Sequence, residues 1–245
     1  MKVIDAIWEK RNLGVSCYEI HLETNDSFDQ VVSDYMNLEE KQYMVVKVPA
    51  ARYDFVQYFQ RNAYQFVETA LTLKCNINKI TIPRRLQQIC DKCSWTIMDT
   101  NDLERLYREI ENGIFKTDRI YIDPEFTKQQ AARRYIYWIQ DLVKQGNVPY
   151  KVVYANELVG FFLNKERGDG IYDGILAATY SGFEGTGMGY CIQYAGLQWA
   201  IECGAKEYVG HISGNNPKVM RILLSLGFSI EKMEYIFVKH NGKGE

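Results

Sequence analysis

The feature that most narrows what this chain can fold into is Glu184-Gly185-Thr186-Gly187-Met188-Gly189. It follows a strand-like run, 171–179, and opens a helix-like one. Glycines at alternate positions let the backbone turn tightly and bring successive N–H groups close to a ligand. The start of a helix adds unpaired donors and partial positive charge. A strand, such a turn and a helix together make an anion site suited to phosphate. The turn is not a Walker loop, because Tyr190 and Cys191 stand where Lys and Ser or Thr would follow. It is also a poor dinucleotide fingerprint, since the strands before it read as a hairpin meander rather than a βαβ unit.

The surroundings read from periodicity. A β-rich run at 95–99 leads to a helix with Asn101 and Glu104 as its cap and N3 acid, an apolar face at Leu103, Leu106, Tyr107 and Ile110, and a stop at Gly113. Thr127 and Gln130 form a second capping box. The helix behind it carries Ala132, Tyr135, Ile136, Ile139, Leu142 and Val143, and Gly146 closes it. Strands are expected at 150–155 and 159–164, joined by a turn at Asn156 and Glu157. Beyond the glycine turn, Met188, Ile192, Ala195, Trp199 and Cys203 mark one helix face. A strand at 208–212, a helix entered through Asn216 and Pro217 and ended by Gly227, and one or two strands over 228–239 complete the chain.

The N-terminal half echoes that ending. A strand at 43–48, a helical stretch and a strand from Tyr64 through Leu73 repeat the order seen from 208 onward. Val48 to Tyr64 is a step of 16, as is Ile212 to Phe228. Phe59 then falls on Leu223, Ala63 on Gly227, Phe66 on Ile230 and Leu71 on Tyr235. This predicts an internal strand–helix–strand repeat. The first copy has no glycine-rich turn and would have lost any such site. Two units are expected, 1–92 and 93–245, in a mixed α/β fold.

The order from Trp95 to His240 resembles the GNAT family of N-acetyltransferases. The residues that carry the likeness are Ala177-Ala178-Thr179, Gly185-Thr186-Gly187-Met188-Gly189, Ile212-Ser213, Asn216 and Leu226-Gly227-Phe228. The resemblance implies a GNAT acyl-CoA N-acyltransferase fold behind a truncated GNAT-like N-terminal domain, with acetyl-CoA as cosubstrate. It implies that Gly185, Thr186, Gly187, Met188 and Gly189 hold the pyrophosphate. Ala177, Ala178 and Thr179 would run beside the pantetheine, and Asn216 would bond it, cap its helix, or do both. Many members place a tyrosine acid four residues before the glycine of Leu-Gly-Phe, where this chain has Leu223. That leaves the acid open, with Tyr235, Tyr180 and Tyr172 as candidates by sequence order. Glu184, where many members carry Gln or Arg, is expected to point to solvent.

A narrower stretch, 113–124, followed by Ala132, Tyr135 and Trp138, resembles the two-domain dTDP-fucosamine acetyltransferases. It implies an amino-sugar acceptor met by Phe115, Asp118 and Arg119. Arg119 would touch the sugar nucleotide or form a structural pair with Asp118. The motif Trp8-Glu9-Lys10-Arg11-Asn12-Leu13-Gly14 is distinctive and has no role legible from sequence.

Composition bounds the partners. A net charge of −2 supplies no basic field for nucleic acid or an anionic membrane. No apolar run suits a signal peptide or a membrane span, so the cytoplasm is expected. The six cysteines include one C-x-x-C, Cys90 and Cys93, without the second pair or spaced histidines of a zinc site. They are expected to pack as small hydrophobes, with no metal. A small-molecule amine is the expected partner, and the chain could pair with a second copy of itself.

Overall fold

The computed structural model describes residues 1–80 and 82–242. The elements, in chain order, are β1 (Lys2–Asp5), α1 (Trp8–Asn12), β2 (Cys17–His21), α2 (Phe28–Met36), β3 (Tyr43–Pro49), α3 (Tyr53–Arg61) and β4 (Gln65–Asn76). Next come α4 (Arg84–Cys90), β5 (Cys93–Ile97), α5 (Thr100–Glu111), α6 (Arg119–Ile122) and α7 (Lys128–Lys144). The last are β6 (Tyr150–Tyr154), β7 (Glu157–Gly168), β8 (Ile171–Thr179), α8 (Met188–Glu202), β9 (Glu207–Ser213), α9 (Pro217–Ser225) and β10 (Ser229–His240).

The strands form one mixed sheet in the order β1-β2-β3-β10-β4-β9-β8-β7-β6-β5. Strand alternation decides what covers it. Met44 and Val46 pack with α2 and α3, while Tyr43 and Val45 face Ile120, Phe126 and Ala131 of the other layer. Phe162 packs under α8, while Phe161 and Leu163 face Leu106, Ile139 and Leu142 of α5 and α7. One face of the sheet therefore carries α2, α3, α4, α8 and α9, and the other carries α1, α5, α6 and α7.

The repeat is visible in the sheet. In each half the first strand of the strand–helix–strand unit, β3 or β9, pairs in parallel with the strand before it, β2 or β8. Tyr235 of β10 lies opposite Val48, and Leu71 of β4 lies opposite Ile212. The offset of 164 residues carries Leu71 onto Tyr235 and Val48 onto Ile212, so the two pairs are equivalent with the copies exchanged. Ala63 (φ 64°) and Gly227 (φ 95°) share the left-handed helix exit. The residues after them, Tyr64 and Phe228, bond back to the carbonyls of Phe59 and Leu223 at 3.0 and 3.1 Å. The two copies exchange strands: β10 lies between β3 and β4, and β4 lies between β10 and β9. The boundary expected between 92 and 93 thus falls within one continuous sheet. The last three residues of the second unit, 243–245, lie outside the described residues.

Three local expectations shift. Helix α5 is capped two residues early, by Asp99 and Asp102 in a reciprocal box, because β5 ends at Ile97 and the helix follows at once. The β6–β7 turn is Ala155-Asn156, both at positive φ (50° and 68°), the twist that a two-residue hairpin needs. One strand, β10, spans the closing segment. The capping box of α7, Thr127 with Gln130, forms as read.

Candidate active site

The site begins where two strands part. β8 and β9 pair in parallel from Ile171↔Glu207 to Gly174↔Gly210 and no further. β8 continues to Thr179 on β7 alone, with Ala177 opposite Phe162 and Ala178 opposite Phe161. From Ile175 onward the other edge of β8 has no strand beside it. The register with β7 slips there: Asn164 faces Gly174 and Leu163 faces Leu176, so Ile175 is a bulged residue off both ladders.

The gap is a cleft of about 650 Å³ passing between the two helical layers. On the α8–α9 side it is lined by Gly185, Gly187, Gly189, Ile192, Asn216 and Leu223. On the other side it is lined by Phe115, Asp118, Tyr135, His211 and Ser213. At its apex the strands approach closely. A Cβ on Gly174 would stand 2.6 Å from the Tyr208 hydroxyl, and one on Gly210 would stand 3.3 Å from Leu223. Tyr208 donates at 2.6 Å to Asn164, whose Nδ2 donates at 2.7 Å to the Gly196 carbonyl. Burial pushes the Tyr208 phenol well above its ordinary value.

The glycine turn has the conformation its sequence asks for. Gly185 (φ 77°) and Gly187 (φ 89°) sit in the left-handed region, and space is open where their side chains would be. Gly187 is the N-cap of α8 and no side chain caps it, so the first amides of that helix are left for a ligand. In the N-terminal half, Arg52 Nη1 donates to the carbonyls of Thr24 at 3.0 Å and Asp26 at 2.6 Å, filling the corresponding loop. There β2 and β3 stay paired along the whole of β2.

Of the residues named from sequence for acetyl-CoA, Ala177, Ala178, Thr179, Gly185, Gly187, Gly189 and Asn216 line the cleft. Thr186 and Met188 do not. The Thr186 hydroxyl turns back to the Phe183 carbonyl at 2.6 Å, and Met188 is buried in the core beneath α8. Asn216 caps α9, accepting from Val219 N at 3.2 Å. Glu184 lines the mouth and is exposed.

On the acceptor side Phe115 and Asp118 line the cleft, with Phe115 stacked on Tyr135 at 4.3 Å. Arg119 does not line it. Its guanidinium pairs with Glu19 and lies 3.8 Å from Glu9, with the side chain 11% exposed. The Asp118–Arg119 pair is absent as well: Asp118 caps α6, accepting from Ile120 N at 2.9 Å. Glu9 also takes Arg134 at 2.8 Å and Asn12 at 3.2 Å, and Arg133 donates to the Asn12 carbonyl. The Trp8–Gly14 motif is therefore a clamp of α1 onto α7.

None of the three tyrosines proposed as acid reaches the cleft. Tyr235 is paired on both sides in the sheet and packs against the N-terminal core. Tyr180 is fully buried under α5 and α7. Tyr172 donates to the Cys203 carbonyl at 3.1 Å. Leu223 lines the cleft and offers only methyl groups. Sequence reasoning missed Tyr208, His211 and Ser213, whose only local signal is the alternation along β9. It also missed Glu68, a buried carboxyl that accepts from Arg119 N at 3.2 Å and whose pKa burial raises.

No family model matches the sequence, and no curated protein does. Solved structures share the fold. A GCN5-related N-acetyltransferase from Sphaerobacter thermophilus superimposes with a TM-score of 0.57 at 12% identity, over 89% of this chain and 67% of that one. A conserved protein of unknown function from Staphylococcus epidermidis gives 0.60 at 12% identity, over 92% and 84%. A tandem GNAT protein of the clavulanic acid biosynthesis pathway gives 0.54 at 10% identity, over 83% and 65%. The mixed α/β fold is thus the one found in GNAT acetyltransferase structures. Among the described residues no helix is long and apolar enough to cross a membrane.

Proposed function

We propose that this chain is an acetyl-CoA-dependent N-acetyltransferase acting on the amine of a small molecule, and more narrowly on a nucleotide-linked amino-deoxy sugar, in the cytoplasm. One observation carries the reading: a single cleft joins an uncapped helix start and left-handed glycines at one end to Phe115, Tyr135 and Asp118 at the other. The first end suits a diphosphate. The free edge of β8, Ala177 to Thr179, suits the amide-bearing pantetheine arm. The apex at Gly174 and Gly210 is where the thioester would come to rest.

The chemistry follows from what lies there. Ile175, bulged off both ladders, supplies a backbone N–H able to bond the thioester oxygen as negative charge grows on it. Holding amine and thioester in one narrow cleft supplies much of the remaining advantage. Leu223 cannot donate a proton, so the thiolate leaves unassisted and is protonated by solvent. The Asp118 carboxylate and the Phe115–Tyr135 stack offer an ammonium group and an apolar sugar face a place to bind. The narrower acceptor reading keeps Phe115 and Asp118 and gives up Arg119.

Leu223 also favours a second reading, a module that holds acyl-CoA without turnover. Titration calorimetry with acetyl-CoA, followed by a thiol assay of CoA release with dTDP- and UDP-amino sugars and simple amines, separates them. Binding with release supports the transferase. Binding without release from any amine supports the module. Absence of binding removes both.

A further inference from the structure

We infer that His211 is the group that takes the proton from the attacking amine, held for that task by Asp173 and Thr72. The assignment rests on the acetyl-transfer reading above. His211 follows Gly210, the last residue of β9 paired with β8, so its ring stands at the apex where the strands part. It lines the cleft. Alternation along β9 turns it to the α5–α7 side, where Phe115 and Asp118 also lie, and away from Leu223.

The ring is held at both nitrogens. Thr72 Oγ1 of β4 is 3.3 Å from Nδ1. Arg167 Nη2, from β7, is 3.2 Å from Nε2, and Asp173 Oδ1, from β8, is 3.6 Å from the same atom. A guanidinium can only donate, so Nε2 presents its lone pair and the ring proton sits on Nδ1, given to Thr72. An arginine donor rests where an amine donor would come. Arg167 is half-exposed and bonded to Asp173, so it can leave the ring without losing its own partner. Asp173 is buried, which alone would raise its pKa, but His211 and Arg167 beside it outweigh burial and hold it below the ordinary carboxylate value. Its carboxylate would stabilise the imidazolium once formed.

An ammonium substrate gives one proton to Nε2 and becomes a nucleophile. Its lone pair forms the C–N bond, the C–S bond breaks, and the electron pair leaves on sulfur. The second nitrogen proton goes through solvent to the thiolate, and the imidazolium returns the first to water. The products are the acetamide, CoA thiol and one released proton.

The test uses the full chain and two small amines. 2-Phenylethylamine is an ammonium at neutral pH and needs the first proton removed, whereas hydroxylamine is already neutral. His211→Gln should lower kcat/KM for 2-phenylethylamine about 10²–10⁴-fold, and for hydroxylamine by less than about tenfold, with acetyl-CoA affinity unchanged. Asp173→Asn, at a positioning residue, should give a smaller loss with the same preference. Equal losses on both amines, or none, overturn the assignment, because a merely structural histidine would not tell the amines apart. A parent that binds acetyl-CoA but acetylates neither amine overturns it too. A parent that does not bind acetyl-CoA brings down the transferase reading itself, and this assignment with it.

Discussion

The Arg119 guanidinium and the Glu19 carboxylate form an ion pair across 100 residues of chain, joining α6, which directly follows the loop lining the acceptor end of the cleft, to the second strand of the sheet. Both side chains are nearly out of water, at 11% and 9% exposure. Removing one partner of such a pair leaves an uncompensated buried charge, at a cost of about 3–5 kcal/mol. Arg119→Ala should therefore lower Tm by something on the order of 10 °C while leaving the acetyl-CoA dissociation constant of the folded fraction unchanged. Thermal unfolding and calorimetry check this. An intact Tm with a raised acceptor KM would restore Arg119 to the acceptor site.

The same pair sets a pH window. Burial would raise the Glu19 pKa, but Arg119, His21 and Lys47 together outweigh it and hold it far below the usual carboxylate range. A carboxylate depressed in the folded state contributes fully above its unfolded pKa, about 4.3, and the contribution is lost as pH falls below that towards the folded value. The Tm difference between the parent and Glu19→Gln should stay constant across neutral and mildly acidic pH and shrink below about pH 4. A gap that closes near neutrality would place the stabilising charge elsewhere.

At the glycine turn, Gly187→Val should weaken acetyl-CoA binding more than tenfold, an effect of about 1.4 kcal/mol or greater. A Cβ there meets nothing within 4 Å, so the site is open to a side chain. Its cost is the left-handed φ of 89°, which a β-branched residue avoids at about 1–3 kcal/mol. The turn would relax and its amides would no longer converge. Calorimetry reads the affinity, and circular dichroism confirms that the fold survives.

Gly174→Ala tests the apex. Its methyl would stand 2.6 Å from the Tyr208 hydroxyl, which is fixed by Asn164 and cannot swing aside. Overpacking of this kind costs about 1–3 kcal/mol. The variant should unfold earlier, and acetyl-CoA should bind more weakly because the strands part at a shifted point. A Tm equal to the parent's would show that Tyr208 moves freely.

What sequence could reveal about the site is what lies close together along the chain. The turn at Gly185–Gly189, the cap at Asn216 and the strand Ala177–Thr179 were all legible, because backbone conformation and capping are decided by neighbours. The place of Arg119 was not legible, because its partners, Glu19 and Glu9, lie a hundred residues or more upstream on another strand and helix. His211 was missed for a related reason. It gains meaning only from Thr72, Arg167 and Asp173, brought to it by cross-strand register at the point where β8 leaves β9. The repeat was visible in apolar spacing, but spacing could not show that the two copies trade strands. The cap of α5 was read two residues late because Asn101/Glu104 and Asp99/Asp102 are both acceptable pairs, and only the end of β5 chooses between them.

The traded strands bear on how the molecule is made. β3 and β4 are synthesised well before β10, yet each waits for that strand before its edge is covered. The first half cannot settle behind the growing chain as an independent N-terminal domain would. Its open strand edges stay exposed until β10 has emerged, so closure of the sheet waits for the second half.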